Sequence, residues 1–360
     1  MLEKLIVNLK NNEYPIYIGF DLFSIKNIFF PIQSYTQVVI ITNKIIFNLW
    51  NSSISYCLSK LRVKFSNITI NDGEIYKNIT IVEKIVSKLL EKSYSRDTVL
   101  IALGGGVIGD LSGFIASIYQ RGIRFIQIPT TLLAQVDASI GGKTSVNHIL
   151  GKNMIGSFWQ PSSVIINLNF LSTLPKNQLI SGMAEIVKYA ISFDKKFFDW
   201  LEKNIKLLLD LDQKALFYCI NKCCRIKKHI VEKDEKEIND RMLLNLGHTY
   251  GHAIETFLGY GKWLHGEAIS VGMVMAAKTS ELLGFLNKID FIRIVTLLKR
   301  IGLPVTGPKN MCFQSYMLSF RRDKKVVSGL LRFVLPVSIG KVKIFSDVSE
   351  DVLISVIQKF

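Results

Sequence analysis

The feature that most constrains the fold is an apolar run, residues 98–103, that leads directly into three spaced glycines. A continuous run of this kind is typical of a strand that is covered on both faces of a parallel sheet. Gly104, Gly106 and Gly109 follow in the spacing GxGxxG, and a helical pattern comes next. A glycine turn between a strand and a helix brings backbone N–H groups close to a pyrophosphate. The segment therefore predicts a nucleotide site, with a simple packing turn as the alternative.

The rest of the chain divides into two patterns. Further extended patterns at residues 14–18, 37–41, 125–128 and 164–168, with an amphipathic helix at 80–91, predict a parallel α/β layer. Helical periodicity then dominates at residues 178–192, 197–209, 214–232, 237–257, 268–283 and 291–301, and extended patterns return at 331–335 and 341–344. We therefore predict an α/β domain over 1–170 and a mostly α-helical domain over 171–360.

Charge and composition exclude several classes of protein. The 360 residues carry 45 Lys and Arg against 29 Asp and Glu, which gives a net charge of +16. The basic residues are scattered and do not interleave with stacking aromatics, so we expect no nucleic-acid partner; the charge favours small anionic substrates. Five cysteines fit no disulfide framework and indicate reduced thiols in the cytoplasm. No apolar run is long enough for a signal peptide or a membrane span, so we expect no membrane partner.

Three of the five histidines lie within 18 residues and indicate a metal site. Residues 237–255 are predicted to form one helix, on which six polar side chains spaced 4, 4, 3, 4 and 3 share one face: Glu237, Arg241, Asn245, His248, His252 and Glu255. A solvated helix face is the alternative, but the flanking positions are apolar. His265 follows in a loop. Two imidazoles and one carboxylate are the donors of a catalytic zinc site with an open position, so a third ligand must come from elsewhere.

Glu185 is a candidate for that third ligand. It lies in an apolar helical segment with Lys188 one turn later, and burying such charges is costly unless they are paired or bind a metal. An ordinary surface pair at i,i+3 is the alternative, and spacing alone does not decide between the two.

A set of basic residues next to glycines could hold a phosphorylated, carboxylated substrate. It includes Arg121, Lys143 and Lys152. Gly141-Gly142-Lys143-Thr144 is not a P-loop, because Asp137 occupies the position of the first glycine. An ordinary Rossmann site would also have an acidic residue about 20 positions after the glycine turn, and that stretch holds arginines instead.

Several long motifs together resemble 3-dehydroquinate synthases. The motifs are residues 102–110, 119–122, 129–137, 141–143, 150–156, 244–255, 265–268 and 322–325, and the similarity extends over about residues 1–345. The resemblance implies a Rossmann-like NAD-binding domain followed by an α-helical, metal-binding domain, with the active site between them. It also implies a cytoplasmic homodimer that converts 3-deoxy-D-arabino-heptulosonate 7-phosphate to 3-dehydroquinate and phosphate, using catalytic NAD and Zn²⁺, with Co²⁺ also compatible.

The resemblance also assigns residues to roles. The metal ligands that it implies are Glu185, His248 and His265. The implied nucleotide contacts are Asp72, Gly73, Glu74, Ile75, Tyr76, Lys77, Gly105, Gly106, Val107, Ile108, Gly109, Asp110, Thr130, Thr131, Lys143, Lys152, Phe170, Leu171, Ser172 and Thr173. The implied substrate contacts and catalytic residues are Arg121, Asp137, Lys143, Asn153, Lys188, Glu237, Arg241, Asn245, His252 and Lys324 (or Lys325).

Three other functions compete with this interpretation. Another sugar phosphate cyclase, such as a 2-deoxy-scyllo-inosose synthase, would share the cofactor and the metal but accept a hexose phosphate without a carboxylate. A metal-dependent polyol dehydrogenase would release NADH. A basic nucleic-acid binder would bind with strong salt dependence and would not need the metal site.

Overall fold

A computed structural model describes residues 1–10, 12–25, 28–33, 36–259, 261–322 and 331–360, without the side chains of 321 and 322. The chain forms two compact units, one of residues 1–175 and 216–235 and the other of residues 176–215 and 236–360. Among the described residues, no helix is both long enough and apolar enough to cross a membrane.

The first unit is an α/β layer around one large sheet. Its strands are β1 Leu2–Leu9, β2 Asn12–Gly19, β3 Gln37–Asn43, β4 Lys64–Ile70, β5 Val99–Gly104, β6 Arg124–Pro129, β7 Lys143–His148, β8 Gly151–Phe158 and β9 Ser163–Asn167. Its first three helices are α1 Lys44–Lys60, α2 Ile79–Glu91 and α3 Gly106–Ile118. Seven strands form the sheet in the order β1-β2-β9-β6-β5-β3-β4, parallel except for β1 with β2. Strands β7 and β8 form a separate hairpin.

Apolar side chains cover both faces of this sheet, as the sequence predicts. Helices α2 and α3 pack against one face, where Val82 and Leu111 join residues of β5 such as Leu100. Helix α1 packs against the other face, where Ile54 joins Ile101. Strand β5 is completely buried. The chain leaves β3 toward β4 on one side and continues from β5 to β6 on the other, so the two directions diverge between β3 and β5. Ligands of open α/β sheets bind at the carboxyl ends of the strands at such a point.

The second unit is mostly helical. It contains α4 Lys176–Phe193, α5 Lys195–Leu209, α7 His248–Leu258, α8 His265–Leu282, α9 Lys288–Ile301, α10 Phe313–Arg322 and α11 Glu350–Ile357, with the hairpin β10 Phe333–Ser338 and β11 Lys341–Phe345. Helix α8 is buried on nearly all sides and packs against α4, α7, α9 and β10. These observations confirm the predicted fold class of a Rossmann-like α/β layer followed by a mostly helical part.

One helix groups differently from the predicted division at residue 170. Helix α6, Gln213–Lys233, follows α5 in the chain, but its residues from Leu216 onward group with the first unit. There Arg225 pairs with Glu3 of β1, and Glu232 accepts a hydrogen bond of 2.7 Å from the backbone N–H of Asn8. Helical periodicity describes only local spacing, so it does not predict these contacts with a strand more than 200 residues earlier. The division of the chain into functional domains stays a prediction.

The cysteines are free thiols in the structure. Cys219, Cys223 and Cys224 of α6 are buried, and burial raises the pKa of the Cys223 and Cys224 thiols above the usual range. Because thiols of raised pKa stay protonated and unreactive, these residues serve packing.

Candidate metal centre and nucleotide site

Close packing of glycines sets the backbone of the candidate metal centre. A Cβ on Gly266 at the start of α8 would lie 1.9 Å from the carbonyl oxygen of Ser181 on α4. A Cβ on Gly272 would lie 2.0 Å from the carbonyl oxygen of Gly247, which immediately precedes α7. No side chain larger than a hydrogen atom fits at either position, so α8 approaches both α4 and α7 at backbone distance. Helix α4 carries Glu185, α7 begins with His248, and α8 begins with His265.

The three predicted metal ligands converge. One ligand atom from each lies within 4.8 Å of the other two. Oε1 of Glu185 is 3.9 Å from Nε2 of His248 and 3.7 Å from Nε2 of His265. Two ligands of a tetrahedral zinc ion, each at about 2.05 Å, are about 3.3 Å apart. The three side chains therefore fit a divalent ion once small side-chain movements bring their ligand atoms, now within 4.8 Å of one another, to that separation.

Hydrogen bonds set the tautomer of both imidazoles. Nδ1 of His248 lies 3.1 Å from the carbonyl oxygen of Leu246, and Nδ1 of His265 lies 3.3 Å from Oε1 of Glu255. A carbonyl and a carboxylate only accept, so each Nδ1 must carry the proton. In the neutral rings each Nε2 is then the unprotonated nitrogen, the one that can bind a metal, and it lies within 4 Å of Oε1 of Glu185. Three converging acceptor atoms, with outer partners that orient the rings, form the arrangement expected of a metal-binding histidine pair.

Further polar groups surround the three ligands. Lys188 is almost completely buried and contacts the other oxygen of Glu185, Oε2. The ring of His252, one turn after His248, has its centre 5.2 Å from that of His248 and 6.2 Å from that of His265. An ammonium and an imidazole beside the metal ligands can bind an anionic substrate and carry protons. Because both Glu185 and Lys188 are buried, they are not a surface pair, and that alternative is excluded.

The predicted single helix over residues 237–255 is wrong. A 3-10 turn covers Asp240–Asn245, and α7 begins at His248 after Gly247, whose φ is +77°. The left-handed φ of Gly247 interrupts the helix, and its close approach to α8 leaves no room for a Cβ. Only His248, His252 and Glu255 share a face of α7. The other three of the six polar residues precede α7. Among them, Asn245 donates a 2.9 Å hydrogen bond to Glu237, and Arg241 is buried.

Most of the predicted nucleotide residues lie at the carboxyl ends of parallel strands. The glycine turn follows β5, Thr130 and Thr131 follow β6, and the 3-10 turn Leu168–Thr173 follows β9. A Cβ on Gly109, the last glycine of the motif, would lie 2.7 Å from Oε1 of Gln127, at the end of that side chain on β6. Trp50 of α1 donates a 3.0 Å hydrogen bond to Thr173 and so joins the β9 end of this edge to α1.

Asp72 supplies a carboxylate at the same edge, although it precedes the glycine turn in the sequence. It follows β4, and it accepts a 2.7 Å hydrogen bond from Nδ2 of Asn43 at the N-terminus of α1. Since β3 lies between β4 and β5, an acidic residue after β4 stands two strands from the glycine turn. The stretch after the glycine turn lacks the acidic residue of an ordinary Rossmann site, but Asp72 places a carboxylate at the same edge of the sheet.

The structure groups the predicted basic residues only in part. Lys77 is buried, and its ammonium donates to Asp110 at 2.6 Å and to Asn153 at 2.5 Å. Burial raises the pKa of the Asp110 carboxyl, and Lys77 opposes that shift. Lys143 begins β7 while Lys152 lies near the other end of the hairpin, so their backbones are about 13 Å apart along it.

One predicted substrate contact is not joined to this group. Arg121 is exposed beyond the last residue of α3, a 13-residue helix about 20 Å long, so that helix separates it from the glycine turn. Its assignment stays a prediction. Lys324 and Lys325 lie outside the described residues.

Two residues of these sites were missed in the sequence. Glu255 is one of the six polar residues predicted to share a helix face. Its position seven residues after His248 could have marked it as a hydrogen-bond partner of a metal-binding histidine. Lys227 of α6 is buried, pairs with the Asp137 carboxylate and donates to the Asp137 carbonyl oxygen at 2.6 Å. Its helix contains several other lysines, so no sequence signal distinguishes it.

Comparison with known proteins places these sites in a family. The chain matches the family model of the 3-dehydroquinate synthase N-terminal part over residues 67–181 and that of the C-terminal part over residues 182–326. It is 70% identical to the 3-dehydroquinate synthase of Buchnera aphidicola subsp. Baizongia pistaciae (strain Bp), over 98% of this chain and 99% of the relative.

Two solved structures share the fold at 25% identity. One is a 2-epi-5-epi-valiolone synthase from Streptomyces hygroscopicus subsp. jinggangensis 5008 with NAD⁺ and Zn²⁺ bound; the TM-score is 0.90, with 98% of this chain and 99% of that chain covered. The other is a 2-deoxy-scyllo-inosose synthase complexed with carbaglucose-6-phosphate, NAD⁺ and Co²⁺; the TM-score is 0.89, with 99% of this chain and 100% of that chain covered.

Proposed function

This chain belongs to the 3-dehydroquinate synthase family, and we propose that it converts 3-deoxy-D-arabino-heptulosonate 7-phosphate to 3-dehydroquinate and inorganic phosphate. The observation that carries the proposal is the convergence of Glu185, His248 and His265, with Nδ1 of each histidine hydrogen-bonded to an acceptor so that Nε2 serves the metal. Such a donor set suits a zinc or cobalt ion that keeps one position open for substrate.

The two cofactors supply chemistry that side chains lack. When bound, the metal lowers the pKa of a substrate hydroxyl, and NAD accepts a hydride from the same carbon and later returns it, so that the net reaction is redox-neutral. We assign the metal to Glu185, His248 and His265. We assign NAD to the carboxyl edge of the first unit, where the glycine turn, Thr130, Thr131 and Asp72 lie.

Buried cations of the second unit bind the anionic groups of the substrate in this proposal. Lys188 and Arg241 are each about 1% exposed. A buried ammonium or guanidinium binds a carboxylate strongly, because little water competes for it. His252 stands one turn from His248 and is close enough to the metal ligands to transfer a proton to or from a substrate hydroxyl. Asn245, held by Glu237, orients a second hydroxyl.

Residues of the first unit bind the phosphate in this proposal. Lys152 and Asn153 are adjacent on β8, and Lys143 lies on its partner strand β7. Asp137, paired with Lys227, contributes a fixed carboxylate beside the glycine turn, because its neighbour Ala138 packs near Gly106. Elimination of phosphate needs these contacts to persist as charge develops on the leaving group.

The family resemblance supports three further assignments: a homodimer, a cytoplasmic location and zinc as the metal. We also propose that the protein acts on a small molecule and has no nucleic-acid or membrane partner. Sedimentation, cell fractionation and metal analysis of the purified protein test the first three. Binding of DNA or RNA that falls steeply with salt concentration would contradict the absence of a nucleic-acid partner.

The reaction itself is tested with purified protein, the heptulosonate phosphate, NAD and ZnCl₂. We expect equal amounts of phosphate and dehydroquinate, no net NADH, and loss of activity on chelation that added metal restores. Accumulation of NADH would instead indicate a polyol dehydrogenase. Preferential turnover of glucose 6-phosphate would indicate a 2-deoxy-scyllo-inosose synthase. Full activity in metal-free protein would contradict the role of the three ligands.

A further inference from the structure

The β7–β8 hairpin holds Asn153 in an unusual backbone conformation. Its φ is +55°, in the left-handed region that asparagine tolerates better than most residues but still at a cost. The side chain of Asn153 is exposed, and the proposed function makes it a phosphate contact. Surrounding contacts must therefore stabilise this conformation for the side chain to be presented reproducibly.

Asn147, on the facing strand, is the centre of those contacts. Its Oδ1 accepts a 2.9 Å hydrogen bond from the backbone N–H of Asn153, and its Nδ2 donates a 2.8 Å hydrogen bond to Oε1 of Glu74. Its own backbone N–H donates to the carbonyl oxygen of Lys77 at 2.8 Å. The side-chain amide uses its acceptor and its donor on different segments, so only one orientation of the amide satisfies both.

Lys77 holds the side chain of Asn153 from the same loop. Its ammonium donates to Oδ1 of Asn153 and to Oδ2 of Asp110, the fifth residue of α3. The amide oxygen of Asn153 therefore faces Lys77, and its amide nitrogen is the group that remains to face the substrate. An amide nitrogen is a hydrogen-bond donor, the polarity that a phosphate requires.

We infer that Asn147 is a positioning residue: through the backbone of Asn153 it fixes the hairpin to the loop after β4, so that Asn153 meets the phosphate of the substrate. The inference rests on the proposed function, because it takes Asn153 as a phosphate contact. Asn147 touches neither the predicted metal ligands nor the glycine turn in the contacts described. It acts through Asn153, whereas its backbone bond to Lys77 would survive any change of its side chain.

Asn147→Ala tests the inference by kinetics. The variant keeps the backbone bond to Lys77 but leaves the Asn153 N–H without its acceptor. We expect KM for the heptulosonate phosphate to rise about 10-fold, the effect of one lost hydrogen bond, while the zinc content stays at the wild-type value. The double variant Asn147→Ala/Asn153→Ala should be no worse than Asn153→Ala alone. An unchanged KM, or additive effects in the double variant, would overturn the inference.

Met154→Ala is the matched control, since Met154 is half exposed on the same strand and adjacent to Asn153. It should show wild-type kinetics; an equal rise in KM would mean that any change in the hairpin has this effect. Amide hydrogen exchange gives a readout independent of turnover. The Asn153 N–H should exchange faster in Asn147→Ala than in Met154→Ala, and equal rates would also overturn the inference. If the wild type itself shows no turnover, the proposed function fails, while the exchange rates still decide the role of Asn147.

Discussion

The outer partner of His265 offers a quantitative test of the metal centre. Glu255 is buried, and its Oε1 lies 3.3 Å from Nδ1 of His265. Glu255→Gln keeps the shape of the side chain and a neutral acceptor but removes the negative charge. The imidazole of His265 then becomes a weaker donor of its Nε2 lone pair to a metal.

The size of the effect follows from the hydrogen bond. A bond to a charged group contributes about 1.5–3 kcal/mol and a neutral bond about 0.5–1.5 kcal/mol. The distance of 3.3 Å is slightly beyond the usual N–H···O range, so the lower end of both ranges applies. The difference, about 1 kcal/mol, corresponds to a loss of zinc affinity of roughly 5- to 10-fold. Glu255→Ala removes the whole bond, about 1.5 kcal/mol, and should lower zinc affinity about 10-fold, the lower end of the range known for such partners.

Competition with a chromophoric chelator at neutral pH measures the zinc dissociation constant directly, without turnover. Glu267→Gln is the matched control: its carboxylate lies two residues from the same ligand but accepts the backbone N–H of Leu264 at 2.7 Å. The control should retain wild-type zinc affinity. Equal affinities of Glu255→Gln and the wild type, or an equal loss in Glu267→Gln, would refute the role of Glu255.

Three further predictions concern binding and stability. His248→Ala should lose zinc and all activity while NAD binding, measured by calorimetry, persists; retained zinc stoichiometry would contradict the ligand assignment. Gly272→Ala should lower the free energy of unfolding by about 1–3 kcal/mol in urea titrations, because its Cβ would lie 2.0 Å from the Gly247 carbonyl oxygen, and an unchanged stability would contradict the packing described. A hydrogen bond from Arg293 lowers the pKa of Asp199, so the ionised form stabilises the fold above the ordinary carboxyl pKa, and the contribution is lost as pH falls through the lowered value. Asp199→Asn should therefore be less stable than the wild type at pH 7 and equally stable near pH 2; a constant difference would exclude the ionisation.

Patterns along the chain predicted most of the elements that carry the sites. The run at residues 98–103 became the buried strand β5, and the glycines after it became the start of α3. Periodicity also placed α4 and α5 within a few residues of their observed ends. These predictions succeed because burial on two faces, or on one stripe of a helix, leaves its period in the local sequence.

The break before α7 shows where such patterns fail. Periodicity continues across Gly247, yet the chain turns there because its backbone packs against Gly272, 25 residues later. The positions of Asp72 and Lys227 likewise depend on strand order and on the grouping of α6 with the first unit.

The sequence by itself determined which donors are available: two histidines near each other, an acid and a lysine one turn apart on an apolar helix, and a glycine turn after a buried strand. It left Glu185 undecided between metal ligand and surface pair until the family resemblance was considered. Only the tertiary structure decided that Glu185 meets His248 and His265, and that Asn147 and Lys77 hold Asn153. The physical reason is that spacing along a helix or strand is local, whereas the convergence of side chains depends on backbones that approach each other where glycine allows it.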